Sequence, residues 1–235
     1  MEGGIAKEQI AQIAKKIRDA IEKTFFERGY KVFDYSFIEK PSELRKGMKP
    51  FWGGYHIEFK VVEIENYNEA DMLSTRNKAF ILGSNEKKAF SIDISKCDYC
   101  SSKQEHDIDG YTVFVYSPEM VVIEKIRAIC QKMPEYPHGY KSARARDFYD
   151  IYILMEKFGI DLSKEENLEL FKLIFGAKEV PLSLILNIGE YREYHRADFP
   201  SVVATVISPL GLEQFDFYFD YVVKKTETLK ILWEV

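Results

Sequence analysis

The chain has 235 residues, 46% hydrophobic and 30% charged, with 15 Tyr and 17 Phe. That is length for one large domain or two small ones, and enough apolar surface to offset the entropy of ordering, which excludes disorder over most of the chain. The net charge of −5 excludes a global positive field for nucleic acid, so any RNA or DNA contact needs a local basic patch.

The stretch "GIAKEQIAQIAKKIRDAIEKTFFERG" sets Ile5, Ile10, Ile13, Ile17 and Ile21 near one face, with Gly29 at its end, and predicts a long amphipathic helix. "YKVFDYSFI" alternates like a strand, and "KPSELRKGMKPFWGG" is rich in turn residues. In "YHIEFKVVEI" the period of two puts His56, Glu58 and Lys60 on one strand face and Ile57, Phe59 and Val61 on the other. "NEADMLSTRNKAFIL" has Ala70, Leu73, Phe80 and Ile81 near helical spacing and predicts a helix closed by Gly83, so Gly83-Ser84 reads as a cap and turn. "AFSIDIS" is a strand with Phe90, Ile92 and Ile94 facing in and Ser91, Asp93 and Ser95 facing out. Asp109-Gly110 is a turn before the strand "YTVFVY".

Ser117-Pro118 then caps and starts a helix over "EMVVIEKIRAICQKM". Ser142 is placed to cap a second one, "ARARDFYDIYILMEKF", closed by Gly159. Helices follow over "KEENLELFKLIF", "PLSLILNIGEYREYHR" and "EQFDFYFDYVVKK". Strands first and helices after predict an α+β protein. Its sheet is small, antiparallel or mixed, with flanking helices, in residues 1–116; a helical half follows in 117–235. No apolar run is long enough to span a bilayer, and the polar, helix-patterned N-terminus is unlike a signal peptide. Three cysteines, an odd number without framework spacing, fit a reducing cytoplasm.

Several groups carry chemistry. Asp93 sits mid-strand on the polar side of an apolar segment, where Asp is disfavoured without a role. Lys125 and Arg127 lie on the helix after Ser117, and Lys125 taken alone reads as a solvated surface charge. Arg144 with Asp147, and Arg146 with Asp150, stand three and four apart and can pair on the helix surface. With Lys141, the arginines would form a phosphate clamp whose guanidiniums the aspartates hold in place. Glu58-Phe59-Lys60 is an E-x-K strand of the sort metal-dependent nucleases use with an upstream acid, for which Asp34 is a candidate. "CDYC", Cys97 to Cys100, is a lone C-x-x-C. With His106 and Cys130 elsewhere it falls short of the four ligands zinc needs.

The succession "FSIDIS", "SPEMVVIEKIRAICQKMPEY" and "RARDFYDIYIL" resembles the AbiEii/AbiGii-type nucleotidyltransferase toxins of abortive phage infection and type IV toxin–antitoxin pairs, over roughly residues 50–158. The resemblance implies a nucleotidyltransferase-like core and transfer of a nucleotide from an NTP to an acceptor such as tRNA. Mg2+ would be the cofactor, and a cognate antitoxin or complementing subunit the partner. It assigns Asp93 as metal-binding carboxylate and base; Glu58, on a neighbouring strand, is a candidate second metal ligand. It assigns Lys125 to the nucleotide phosphates. Arg127, Arg144, Arg146, Asp147 and Asp150 join the nucleotide-binding set. The family's opening glycine pair and D-x-D strand have no counterpart before Glu58. A truncated enzyme, one half of a split enzyme, and a non-catalytic domain binding nucleotide, RNA or protein each accommodate that difference.

Overall fold

The computed structural model describes residues 7–42, 49, 53–82, 86–137, 142–206 and 211–233. They fall into two units, one within residues 1–46 and 50–96, the other within 47–49 and 97–235. Gly83-Ser84 and Lys141 lie outside the described residues.

In the first unit the Ile-rich stretch is α1 (Lys7–Phe26). Ile17, Ile21 and Phe25, at steps of four, share one face and lie on the sheet. Gly29, at φ 85, turns the chain through backbone space that only glycine enters freely. The chain then enters β1 (Tyr30–Lys40), which pairs with β2 (Gly54–Glu63). β2 pairs with β3 (Ala89–Ser95), so the order is β1-β2-β3 and both pairings are antiparallel.

The two faces of this sheet differ. Ile57, Phe59 and Val61 of the central strand join Val32 under α1, with Phe90 and Ile94 packed alongside. On the other face Val62, Phe33 and Ala79 form a smaller core with Met72, from α2 (Met72–Lys78). The rest of that face is polar. His56 stands opposite Asp93, and Glu58 opposite Ser91. Directly paired residues in a sheet share a face, so these four groups look the same way.

α2 is shorter than the helix expected over 68–82. Asp71 caps it by accepting the Ser74 N–H at 3.0 Å, and Ala79 returns to extended backbone at φ −60, ψ 146. The Phe80 N–H then donates to the Val61 carbonyl at 3.0 Å, so the central strand, just past the end of its pairing with β3, takes the chain that helical spacing had assigned to another turn.

In the second unit β4 (Gln104–Ile108) and β5 (Tyr111–Val115) form a hairpin. Asp109 and Gly110 both have positive φ, 54 and 81, as a two-residue turn matched to strand twist requires. Next comes α3 (Pro118–Cys130), with Ser117 accepting the Met120 N–H at 3.3 Å as its cap. After α4 (Ala145–Phe158) and α5 (Glu165–Ala177), residues Leu182–Tyr191 form a 3-10 helix where an α-helix was expected. The chain ends through α6 (Arg192–Arg196), α7 (Phe199–Val203), α8 (Phe215–Thr226) and a 3-10 turn at Glu227–Leu232. Phe148 stacks on Phe219 at 5.1 Å and meets the edge of Phe215 at 5.5 Å in the core.

Ser142 does not cap α4. The helix begins two residues later than that reading requires, with Arg144 at the N-cap position and no side-chain cap of its own. Gly159 ends it in the left-handed conformation, φ 60, as the sequence implies.

Phe59 is 3% exposed, stacked on Phe90 at 5.2 Å and edge-on to Phe25 at 5.8 Å. Phe59→Ala is expected to lower stability by about 3–5 kcal/mol in chemical denaturation. A loss under about 1 kcal/mol would contradict this core.

Candidate functional site

The α3–α4 pair gathers most of the residues expected to bind nucleotide. Lys125, from α3, donates to Asp147 Oδ1 at 3.0 Å and to Asp150 Oδ2 at 2.8 Å, both on α4. The step of three from Asp147 to Asp150 puts both carboxylates on the side of α4 facing α3. Arg144 Nε bonds the other oxygen of Asp147, and Arg146 Nε donates to Asp150 Oδ1 at 2.9 Å. Both expected Arg–Asp pairs therefore form.

Lys125 is not the solvated charge it looks like in isolation: its side chain is 22% exposed. Burial works against its charge, but the hydrogen bonds to Asp150 and Asp147 and their negative fields outweigh burial and hold its pKa above the ordinary lysine value. Arg146 remains the most open cation of the group, at 48% side-chain exposure, and also donates to Thr205 Oγ1 at 3.0 Å. Arg127 is buried; its Nε donates to Glu124 at 2.8 Å and its Nη1 bonds Gln131.

His195 carries no functional signal in the sequence, yet it stands beside this cluster. Its Nδ1 accepts the Arg144 backbone N–H at 3.1 Å, and its ring lies 5.0 Å from that of Phe148. Burial pushes the imidazole pKa down to about 4; Asp147 pulls it up and Arg144 pushes it further down.

A second cluster lies on the polar face of the three-stranded sheet, in the other unit. His56 Nδ1 is 2.6 Å from Asp93 Oδ1, and His56 Nε2 is 3.8 Å from Glu58 Oε2. Asp93 is open, with 80% of its side chain exposed, as expected for an outward residue of β3. Glu58 and Lys60 share this face, but Asp34 is engaged elsewhere than at Glu58. It sits at a bulge in β1 at φ 48 and accepts from Lys60 at 2.9 Å and Arg76 at 2.8 and 3.0 Å. The Arg76 hydrogen bond, reinforced by Lys60, holds the Asp34 carboxyl down at about 2.

The two carboxylates expected to hold Mg2+, Asp93 and Glu58, flank an imidazole. Among the described residues no three His, Cys, Asp or Glu side chains are grouped to hold a metal ion. Cys97 and Cys100 are exposed and Cys130 is buried; the Cys100 thiol lies 3.4 Å from the Tyr116 hydroxyl. Among the described residues no helix is long and apolar enough to cross a membrane.

The strand carrying Asp93 and the helix pair joined by Lys125, Asp147 and Asp150 are the segments that carry the resemblance in the sequence. Residues 5–221 match the family described as nucleotidyl transferase AbiEii toxin, type IV TA system, and the chain belongs to that family. The match extends well beyond the stretch from 50 to 158 that carries the resemblance in the sequence. Searches of curated proteins and of solved structures found no match. Membership implies a nucleotide substrate and an antitoxin partner; enzymes of this class generally use a divalent metal ion.

Two outcomes follow from the α4 cluster. Asp147 has a 6% exposed side chain between Lys125 and Arg144, so removing its charge takes the anionic partner from Arg144 and leaves Lys125 with Asp150 alone. Asp147→Asn should cost about 2–4 kcal/mol of unfolding free energy, where an exposed pair would cost under about 1. His195 sets a pH dependence. The unfolded imidazole binds a proton below its ordinary 6.5 and the folded one only below about 4. Its contribution is fully present above pH 6.5 and is lost as pH falls towards 4, on the order of 3 kcal/mol in all. Thermal melts from pH 7 to 4 should show this decline in the wild type, and a shallower one in His195→Asn.

Proposed function

We propose that the protein transfers a nucleotide from an NTP to the hydroxyl of an RNA acceptor, of which a tRNA end is the leading candidate, as the cytoplasmic toxin of a toxin–antitoxin or phage-defence pair. The observation that supports this most is the Lys125–Asp147–Asp150 knot with its flanking arginines, in a chain of the AbiEii family.

In this reading Lys125, Arg144 and Arg146 meet the polyphosphate. Asp147 and Asp150 hold these cations in place before the ligand arrives, so little ordering remains for the binding step. Fixed cations also stabilise the charge that builds on the phosphoryl oxygens and the departing pyrophosphate. The acceptor oxygen attacks the α-phosphorus as the bond to pyrophosphate breaks, and its proton leaves to a base. Asp93, an open carboxylate in the other unit, is kept as a separate candidate for a catalytic role. Mg2+ is the proposed ion for such chemistry. Among the described residues the donors around His56 do not make a complete site for it.

Incubating the protein with each radiolabelled NTP, Mg2+ and total tRNA should put label into RNA. Lys125→Met should reduce incorporation at least about 100-fold, and Asp93→Asn by a similar factor. No incorporation with any NTP, with and without the product of the neighbouring gene, would overturn the reading.

A further inference from the structure

α4 presents four of the charged residues assigned to nucleotide, yet its first turn has no side-chain cap of its own. Arg144 occupies the N-cap position at φ −138, ψ 41, and its backbone N–H is satisfied from a distant element, by His195 of α6. A backbone N–H only donates, so Nδ1 must carry a free lone pair, and the ring is the neutral tautomer with its proton on Nε2. The imidazole is 1% exposed and wedged against Phe148, one residue past Asp147. The charged groups whose fields act on it are Asp147 and Arg144 from α4 and Asp198 from the turn after α6. Arg144 leads from this anchor directly to Asp147, and Asp147 to Lys125.

We infer that His195 is the positioning residue of the nucleotide-binding cluster: by accepting the Arg144 N–H it fixes the start of α4, and through Arg144 and Asp147 it fixes where the Lys125 ammonium stands. The inference rests on the proposed nucleotide-binding role of that cluster. His195 itself touches no substrate. Its partner is 51 residues away in sequence, so the device exists only in the folded chain.

The asymmetry of the imidazole supplies the test. In His195→Asn the amide oxygen can take the place of Nδ1, whereas in His195→Gln it reaches towards the place of Nε2. His195→Phe keeps the ring and removes the acceptor. Dissociation constants for ATP, GTP, CTP and UTP are measured by calorimetry at pH 7.5 with Mg2+, beside the melting temperature of each variant. For the NTP that binds the wild type, His195→Phe is expected to weaken binding at least tenfold, and His195→Asn to stay within about threefold of wild type. Should His195→Phe not fold, His195→Gln takes its place with the same tenfold expectation. A purely structural histidine would lower the melting temperature in all three and leave the affinity of the folded protein unchanged, and that result overturns the inference. Lys125→Met separates the two ideas. If it binds nucleotide as well as wild type, the nucleotide reading of the cluster fails; if it loses binding while His195→Phe and His195→Gln keep it, only the role of His195 fails.

Discussion

A lysine can be held mostly out of water only where negative charge meets it, and Lys125 meets two carboxylates at once. That requirement organises the second unit around the α3–α4 contact. It fixes the rotation of α4 about its axis, because Asp147 and Asp150 must both face α3. With α4 so turned, Phe148 and Ile151 enter the core, and Arg144 and Arg146 are left at the rim of the same cluster. One ammonium thus sets both the packing of the helix pair and the display of its guanidiniums.

The arrangement differs in kind from the polar face of the first unit. There the central strand carries His56, Glu58 and Lys60 in a row, and each finds its neighbour across a strand boundary or a bulge. His56 bridges towards Asp93 and Glu58, and Lys60 shares Asp34 with Arg76. Asp93, Glu58 and Arg76 are open, so solvent screens their pairs, while His56, Asp34 and Lys60 are about as enclosed as Lys125 and Asp150. The two clusters therefore differ physically: Asp147 and Lys125 are held between packed helices, whereas Asp93 stays open to solvent.

The sequence carried much of this fold. Period-two alternation placed β1, β2 and β3, and Gly29, Ser117-Pro118 and Gly159 marked element ends that the structure has. It misplaced elements where a distant hydrogen bond outweighed local preference. The helix over 68–82 stops at Lys78 because Val61 offers its carbonyl to Phe80. Ser142 has good capping chemistry, but His195 binds the Arg144 N–H and the helix starts there. β4 carries four polar residues in five and is a strand only because the Asp109-Gly110 turn folds it onto β5.

For the candidate site, the sequence by itself determined the chemistry available: the family, the Arg–Asp pairs of α4, and the polar row of the central strand. These are local patterns, set by spacing of three, four and two along one element. Only the tertiary structure decided that Lys125 joins Asp147 and Asp150 rather than solvent, that His56 stands between Asp93 and Glu58, and that His195 holds Arg144. The contacts Lys125–Asp147, Lys125–Asp150, His56–Asp93 and Arg144–His195 link residues 22 to 51 positions apart through strand register or helix packing. Spacing along a chain is blind to register between elements, because a one-residue slip changes every partner and leaves every local pattern intact.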